Sequence, residues 1–339
     1  PKRTFWLFQA AAAFLLSIFY MTNAWDFAIY ALLIGLIFLF GNYLNHHFSL
    51  KTLKNTLWQI FPVFFGSLLF SLPFHLNFKN LAQGIKLTDF HSPLWMLLVL
   101  WGFPLLFTVA FLWYLNNQRE KGIFQTRDLF VLTTFSLSWL LILLPEFFYI
   151  KDIYIHSYQR ANTMFKFTYQ AFVMFYLSAP YVICRVLKTT RYRFPKVLFS
   201  FLVVTFLAFI MIYPYFAITS YYGHLEKYRG LEGTSFLKNS SPDDYSAILW
   251  LKENIKDQPV ILEATGDSYT LFNRVSAFTG LPTIQGWLVH EWLWRGGFDE
   301  PGKRASDVQT IYETKDKTQA LALLENYRAA YVFLGDRER

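Results

Sequence analysis

The sequence predicts a mainly α-helical, polytopic membrane protein of about seven spans, with a C-terminal extracytoplasmic α/β domain. Three observations carry this prediction: the composition, the length of the apolar stretches, and the placement of basic residues between them. Of 339 residues, 54% are hydrophobic and 21% aromatic, and only 16% are charged, a balance outside the soluble range. A helix needs ~20 residues to cross hydrocarbon. The apolar stretches Phe5–Tyr20, Phe27–Phe40, Leu57–Leu72, Leu94–Tyr114, Leu129–Leu144, Met164–Val186 and Val197–Tyr213 approach or reach that length, Phe27–Phe40 being the shortest. Buried helices of a soluble protein would show polar faces at helical spacing, and Leu94–Ala110 has almost none. The membrane region is placed at residues 1–216 and the outer domain at residues 217–339.

Orientation follows from charge. Lys2 and Arg3, Lys51 and Lys54, Arg119, Lys121 and Arg127, and then Arg185, Lys188, Arg191, Arg193 and Lys196 fall in alternate connections, which the positive-inside rule makes cytoplasmic. The opposite connections are poorer in basic residues, with none in Tyr20–Phe27 and Lys79 and Lys86 in the next. An odd number of spans then puts the C-terminal region outside, in a multi-pass protein of the cell membrane. The net charge of +8 is mostly this orientation signal together with contact to membrane lipid, and does not indicate nucleic-acid binding.

Several chemistries are excluded by what the chain lacks. The one cysteine, Cys184, lies in an apolar span and supports no disulfide framework. His290-Glu291-Trp292-Leu293-Trp294 begins like a zincin helix but has Trp294 where the second histidine must stand. No P-loop and no Gly-x-Ser-x-Gly elbow occurs. His46 and His47 lie in a cytoplasmic loop and receive no role, and Asn239-Ser240-Ser241 is formally a glycosylation acceptor. The chain opens on Pro1 and reaches its first span without a cleavable signal pattern, which reads as a piece of a longer membrane protein.

The C-terminal region reads as strand, helix and strand. Ser241-Pro242-Asp243-Asp244 starts a helix, Pro259–Leu262 is a strand ending at Glu263, Lys317–Tyr327 is helical, and Ala330–Leu334 is a second strand closed by Gly335. That order favours a small parallel sheet. The unusual charged residues sit in its loops and in the outer loops between spans: Asp26, Glu146, Asp152, Arg160 and Lys166, then Glu263, Arg274, His290, Glu291 and Arg295. A shared compartment would let them act together.

Long stretches here resemble a known family. Leu144–Asp152, Arg160–Lys166, Ile261–Tyr269, Asn273–Pro282 and Gly286–Gly296 resemble the YYY-domain membrane proteins, a domain of unknown function found mainly in archaea and some bacteria. Asn23–Tyr30 is similar to the family's Asn-Thr-Trp-Asp-Phe-Pro-Thr-Tyr stretch; it differs at Ala24, Ala28 and Ile29 and keeps Asp26. Family members carry further spans upstream, including an Asp-Leu-His stretch with no counterpart in this chain. The layout of many spans followed by an outer α/β domain is similar to that of membrane glycosyltransferases of the C fold.

Glycosyl transfer from a polyprenyl-phosphate-linked sugar needs a carboxylate to take a hydroxyl proton or hold a cation, and positive groups to stabilise the leaving phosphate. Asp26 and Glu291 are the candidate catalytic carboxylates. Asp26 is also the candidate ligand for a divalent cation, Mg or Mn. Arg160 and Lys166 would clamp the lipid phosphate, and Glu146, Asp152 and Asn162 would complete that end. Glu263, Arg274, His290 and Arg295 would line the acceptor groove, with Trp287, Trp292 and Trp294 stacking on sugar. Each residue also has a structural reading: Asp26 as a helix cap, Arg160 and Lys166 as headgroup anchors, the tryptophans as an interfacial belt, Glu291 and Arg295 as an i, i+4 pair. Two other function classes stay open, a transporter or flippase for a lipid-linked substrate and a non-catalytic assembly protein.

The orientation is directly testable by thiol labelling in a Cys184→Ser background. A membrane-impermeant reagent added outside should label Lys238→Cys and leave Lys188→Cys unmodified. The reverse pattern would remove the shared compartment on which the site depends.

Overall fold

A long helix covers each predicted apolar stretch, in most cases reaching beyond it. The computed structural model describes residues 2–78, 84–119, 125–151, 158–225 and 230–339. In chain order these form α1 (Lys2–Thr22), α2 (Ala24–His46), α3 (Leu50–Phe70), the short α4 (Leu72–His75), β1 (Ile85–Leu87), α5 (Leu94–Arg119), α6 (Thr126–Phe147), β2 (Phe148–Ile150), α7 (Ala161–Thr189) and α8 (Arg193–Tyr222). They continue with α9 (Leu237–Ser240), α10 (Pro242–Asn254), β3 (Val260–Leu262), α11 (Arg274–Thr279), α12 (Leu288–Arg295), α13 (Asp299–Glu313), α14 (Lys317–Asn326) and β4 (Ala329–Val332). The protein is mainly helical and divides into two units, one of residues 1–78 and 82–218 and one of residues 79–81 and 219–339.

Among the described residues six helices are long and apolar enough to cross a membrane, namely α1, α2, α5, α6, α7 and α8. Helices satisfy their own backbone hydrogen bonds, which is what hydrocarbon demands. The expected seventh, α3, is 21 residues long but carries Lys51, Lys54, Asn55 and Gln59 in its first half and Pro62 just beyond, and so falls short in apolarity. Its polar residues have structural partners. Asn42 of α2 donates through Nδ2 to Thr56 Oγ1 at 3.0 Å and to Gln59 Oε1 at 2.8 Å. The α3 start is set by Ser49, whose hydroxyl accepts the Thr52 N–H at 3.3 Å. Two turns after Gln59 α3 approaches α1 closely, for a Cβ added to Gly66 would lie 3.0 Å from that of Ala13. The shortest predicted span, Phe27–Phe40, is a 23-residue helix, because Asn42, Tyr43 and Asn45 continue it past the apolar stretch.

The bundle is organised on α6 and α7. Their contact is built from small residues, Thr134 and Ser138 against Ala171, Ser178 and Ala179, all buried, and the Thr134 and Ser178 hydroxyls are 2.9 Å apart. Each end of α6 carries a buried carboxylate. At its C-terminal end Glu146 accepts from Ser92 N–H at 2.6 Å, Ser92 Oγ at 2.9 Å and Arg160 Nη1 at 2.7 Å. Arg160 also donates to the Pro145 carbonyl at 3.1 Å and to Ser92 Oγ at 2.9 Å. One ion pair therefore joins the segment entering α5, the end of α6 and the start of α7. Beside it β1 and β2 pair antiparallel, Ile85 opposite Ile150. By contrast α8 is mostly exposed; Phe199 is its one fully buried residue, and Phe206 stacks on Phe103 of α5 at 5.4 Å.

In the C-terminal unit β3 and β4 pair parallel, and Thr283 makes a parallel bridge to Ile261 on the other side of β3. The carboxyl ends of these three segments are joined by buried polar groups. Tyr312 places its hydroxyl 3.2 Å from the Leu262 carbonyl and 2.9 Å from that of Phe333. Arg274 opens α11, and its guanidinium is buried between Asp244 Oδ2 at 2.5 Å and Glu338 Oε2 at 2.9 Å. Gly335 lies against both Asp244 and Arg274 and leaves no room for a Cβ. Glu263 is fully buried, its two oxygens accepting the Val275 and Ser276 N–H groups at 2.8 and 2.9 Å, which fixes the first turn of α11. Burial pushes its carboxyl above the ordinary carboxylate range, against the pull of those hydrogen bonds.

Two outcomes follow from these buried charges. Glu146→Ala leaves the Arg160 guanidinium uncompensated and should lower stability by about 3–5 kcal/mol, read as unfolding of the purified protein in detergent; an unchanged midpoint would mean that the pair does not hold the helices. For Glu263, a raised folded-state pKa means the native state holds the proton longer than the unfolded chain. Its contribution to stability is full below the ordinary glutamate value and is lost as pH rises through the raised one. Subtracting the Glu263→Gln stability profile from that of the parent should show this decline, and a difference that rises with pH would contradict it.

Candidate functional site

In the membrane unit the candidate residues separate into two groups by what they touch. Arg160 and Glu146 are engaged with each other, so their charges are matched within the scaffold. Asp26 and Lys166 are not part of that pair. Asp26 lies in the first turn of α2, where Asn23 and not Asp26 stands at the N-cap position. Asn23 Nδ2 donates to Asp26 Oδ2 at 3.0 Å, and Gln170 Nε2 of α7 donates to Asp26 Oδ1 at 3.1 Å. The Tyr30 hydroxyl donates to Gln170 Oε1 at 3.1 Å, which holds the Gln170 amide with its NH2 toward the carboxylate.

Lys166 and Gln170 are four residues apart on α7 and share a face, one turn from each other. Next to them, Trp25 of α2 packs edge-on against Phe167 of α7 at 5.3 Å. Among the described residues no carboxylate lies within 4.0 Å of the Lys166 ammonium, which sits 5.7 Å from the Phe165 ring centre. Gln170 thus joins the Asp26 carboxylate of α2 to the α7 face that carries Lys166 one turn earlier. Asn162 is one turn before Lys166 on the same face. Asp152 lies outside the described residues.

In the C-terminal unit Glu263 and Arg274 belong to the interior, where they fix α11 and the strand ends. His290 and Glu291 belong to the surface. The His290 ring lies 5.0 Å from Tyr269 and 5.5 Å from Trp287, and Tyr269 and Trp287 are 5.4 Å apart. Trp287 Nε1 donates to the Phe272 carbonyl at 2.8 Å, so this tryptophan is locked in place. The Glu291 carboxylate lies over Gly286; a Cβ there would come within 2.8 Å of its Oε1. The Gly286 carbonyl accepts from Thr265 Oγ1 at 3.2 Å, and Asn273 Nδ2 donates to the Gln285 carbonyl at 2.7 Å. The loops after β3 and after Thr283 therefore meet at Gly286, beneath Glu291. Trp292 is exposed and meets Phe298, while the side chains of Trp294 and Arg295 lie outside the described residues.

Sequence reasoning missed Gln170, Tyr30, Ser92 and Tyr269. Gln170 had a usable signal, since an amide inside an apolar span needs a partner. Tyr269 had none that separates it from the other tyrosines. A divalent cation does not fit the residues found. Asp26 is surrounded by amides that donate to both of its oxygens, and among the described residues no three acidic, histidine or cysteine groups converge. No step is routed through a metal.

The model of one protein family, described as uncharacterized membrane protein (DUF2298), matches residues 2–136 and 123–175, together more than half of the chain. The match covers every residue from α1 through Asp26, Glu146, Lys166 and Gln170. Comparisons with curated proteins and with solved structures give no match. With six apolar helices of spanning length, this is an integral, multi-pass membrane protein. The chain belongs to the DUF2298 family of uncharacterized membrane proteins.

Proposed function

We propose that this protein is a membrane glycosyltransferase of the C-fold type that takes a sugar from a polyprenyl-phosphate donor on the extracytoplasmic side. The observation that carries the proposal is the hydrogen bond from Gln170 of α7, one turn after Lys166, to Asp26 of α2. The resemblance to YYY-domain proteins, and through them to C-fold transferases, supports the same reading, with α3 as a seventh span and the C-terminal unit outside.

In this mechanism the acceptor hydroxyl attacks the anomeric carbon as the bond from that carbon to the phosphate oxygen breaks. The electron pair leaves with the phosphate. Asp26 takes the hydroxyl proton, and Gln170 and Asn23 hold its carboxylate in place by donating to it. Lys166 offsets the charge that grows on the phosphate, a role open to it because no carboxylate among the described residues neutralises it. Arg160 would be a positioning residue that holds the start of α7. Polar groups inside a membrane bundle are costly, and their placement at one helix end is what a reaction centre at the lipid surface requires.

Lys166→Ala should weaken donor binding by about 1.5–3 kcal/mol, the worth of one charge-assisted hydrogen bond, with folding intact. Asp26→Asn should abolish turnover while donor affinity changes little. Binding of a radiolabelled polyprenyl-phosphate sugar to the purified protein reads the first, and product formation the second. If Lys166→Ala binds donor like the parent, Lys166 is a headgroup anchor and the proposal loses its phosphate site.

A further inference from the structure

At the opposite end of α6 and α7 lies a second charged cluster that the proposed reaction does not use. Asp128 is fully buried and caps α6, accepting the Gln125 N–H at 2.9 Å and the Tyr181 hydroxyl at 2.7 Å, with the Tyr114 hydroxyl 3.5 Å away. Its nearest cation is Arg185, and the two are 3.7 Å apart, beyond hydrogen-bonding distance. Asp128 and Arg185 thus form an ion pair without a direct hydrogen bond. The guanidinium sits between two aromatic rings, 5.2 Å from the Tyr114 centre and 5.7 Å from that of Tyr181. Its Nε–H is buried with no acceptor, although the side chain keeps 22% of its surface open.

We infer that Arg185 is the centre of a binding site for a phosphate group, supplied by an anionic lipid of the adjoining leaflet. A guanidinium held by rings on two helices is fixed in place, and its Nη–H groups, not buried like Nε–H, can donate to phosphate oxygens. The local charge favours an anion, since on α6 and α7 at this end Asp128 is the one acid against Arg127, Arg185 and Lys188. Arg127 and Lys188 are exposed, and Lys188 follows Arg185 by three residues on the same face of α7. Basic pockets between spans at the headgroup level bind anionic lipid in this way. The site does not depend on the glycosyl-transfer reading, because none of its residues enters that mechanism.

The test is native mass spectrometry of the purified full chain titrated with phosphatidylglycerol, phosphatidylcholine or inorganic phosphate. The parent should retain phosphatidylglycerol over phosphatidylcholine, and Arg185→Gln should lower that preference about tenfold, the loss of one charge-assisted hydrogen bond. Inorganic phosphate that binds where the glycerol lipid does not would assign the site to free phosphate, while competition by neither keeps it with the lipid. No lipid preference and no phosphate binding in the parent, or a preference unchanged in Arg185→Gln, overturns the inference. Should Arg185→Gln fail to fold, Lys188→Gln, which makes no contact in the Asp128 cluster, must still reduce the preference several-fold, and an unchanged value overturns it.

Discussion

The membrane unit depends on one carboxylate, that of Glu146. Three segments distant in sequence end on it: Ser92 before α5, the last turn of α6, and Arg160 at the start of α7. Hydrocarbon gives helices no hydrophobic reason to associate, so packing and polar contacts must specify the arrangement. The small residues between α6 and α7 permit close approach but allow sliding. A buried ion pair with both partners hydrogen-bonded at one end of the contact fixes the register. Phe167 and Gln170 stand on α7 about two to three turns beyond that fixed point, which is why they meet α2 at a defined height.

Polar residues in this bundle are thus sorted by whether their charge is already matched. Glu146 with Arg160, and in the C-terminal unit Arg274 with Asp244 and Glu338, are closed sets whose members have each other. Asp26, held only by amides, and Lys166, with no carboxylate close by among the described residues, keep charge available to something else. Glu263 is closed in the same way, since its oxygens are both taken by backbone N–H groups. Perturbed or unusual charges mark functional sites and structural ion pairs alike, and only the partners tell them apart.

That ambiguity explains what could and could not be read from the chain. The existence of the long helices was legible because hydrocarbon imposes apolar stretches of a set length. The extent of α2 was not, since Asn42, Tyr43 and Asn45 break the apolar pattern while serving as helix-contact residues. Arg160 and Glu146 were recognised as unusual but not as partners, because thirteen residues intervene and spacing alone does not bring the two together. The strand positions of β3 and β4 and the Pro242 helix start were legible from their local signals. Asp128 escaped notice although Gln125 and Asp128 have capping-box spacing, because charge in a basic loop reads as orientation.

The helix α8 runs for 30 residues, about 45 Å at the usual rise, against roughly 30 Å of hydrocarbon. Phe199, Val203 and Phe206 pack its first half on the bundle, and its second half is mostly exposed, so the bundle holds it along one half only. Its last turns carry Tyr213, Tyr215, Tyr221 and Tyr222, side chains that prefer the headgroup layer. A helix longer than the bilayer is wide, anchored by aromatic residues at one end, accommodates the mismatch by tilting. The lipid composition of the host membrane, through its thickness, is then a structural variable of this protein in its own right.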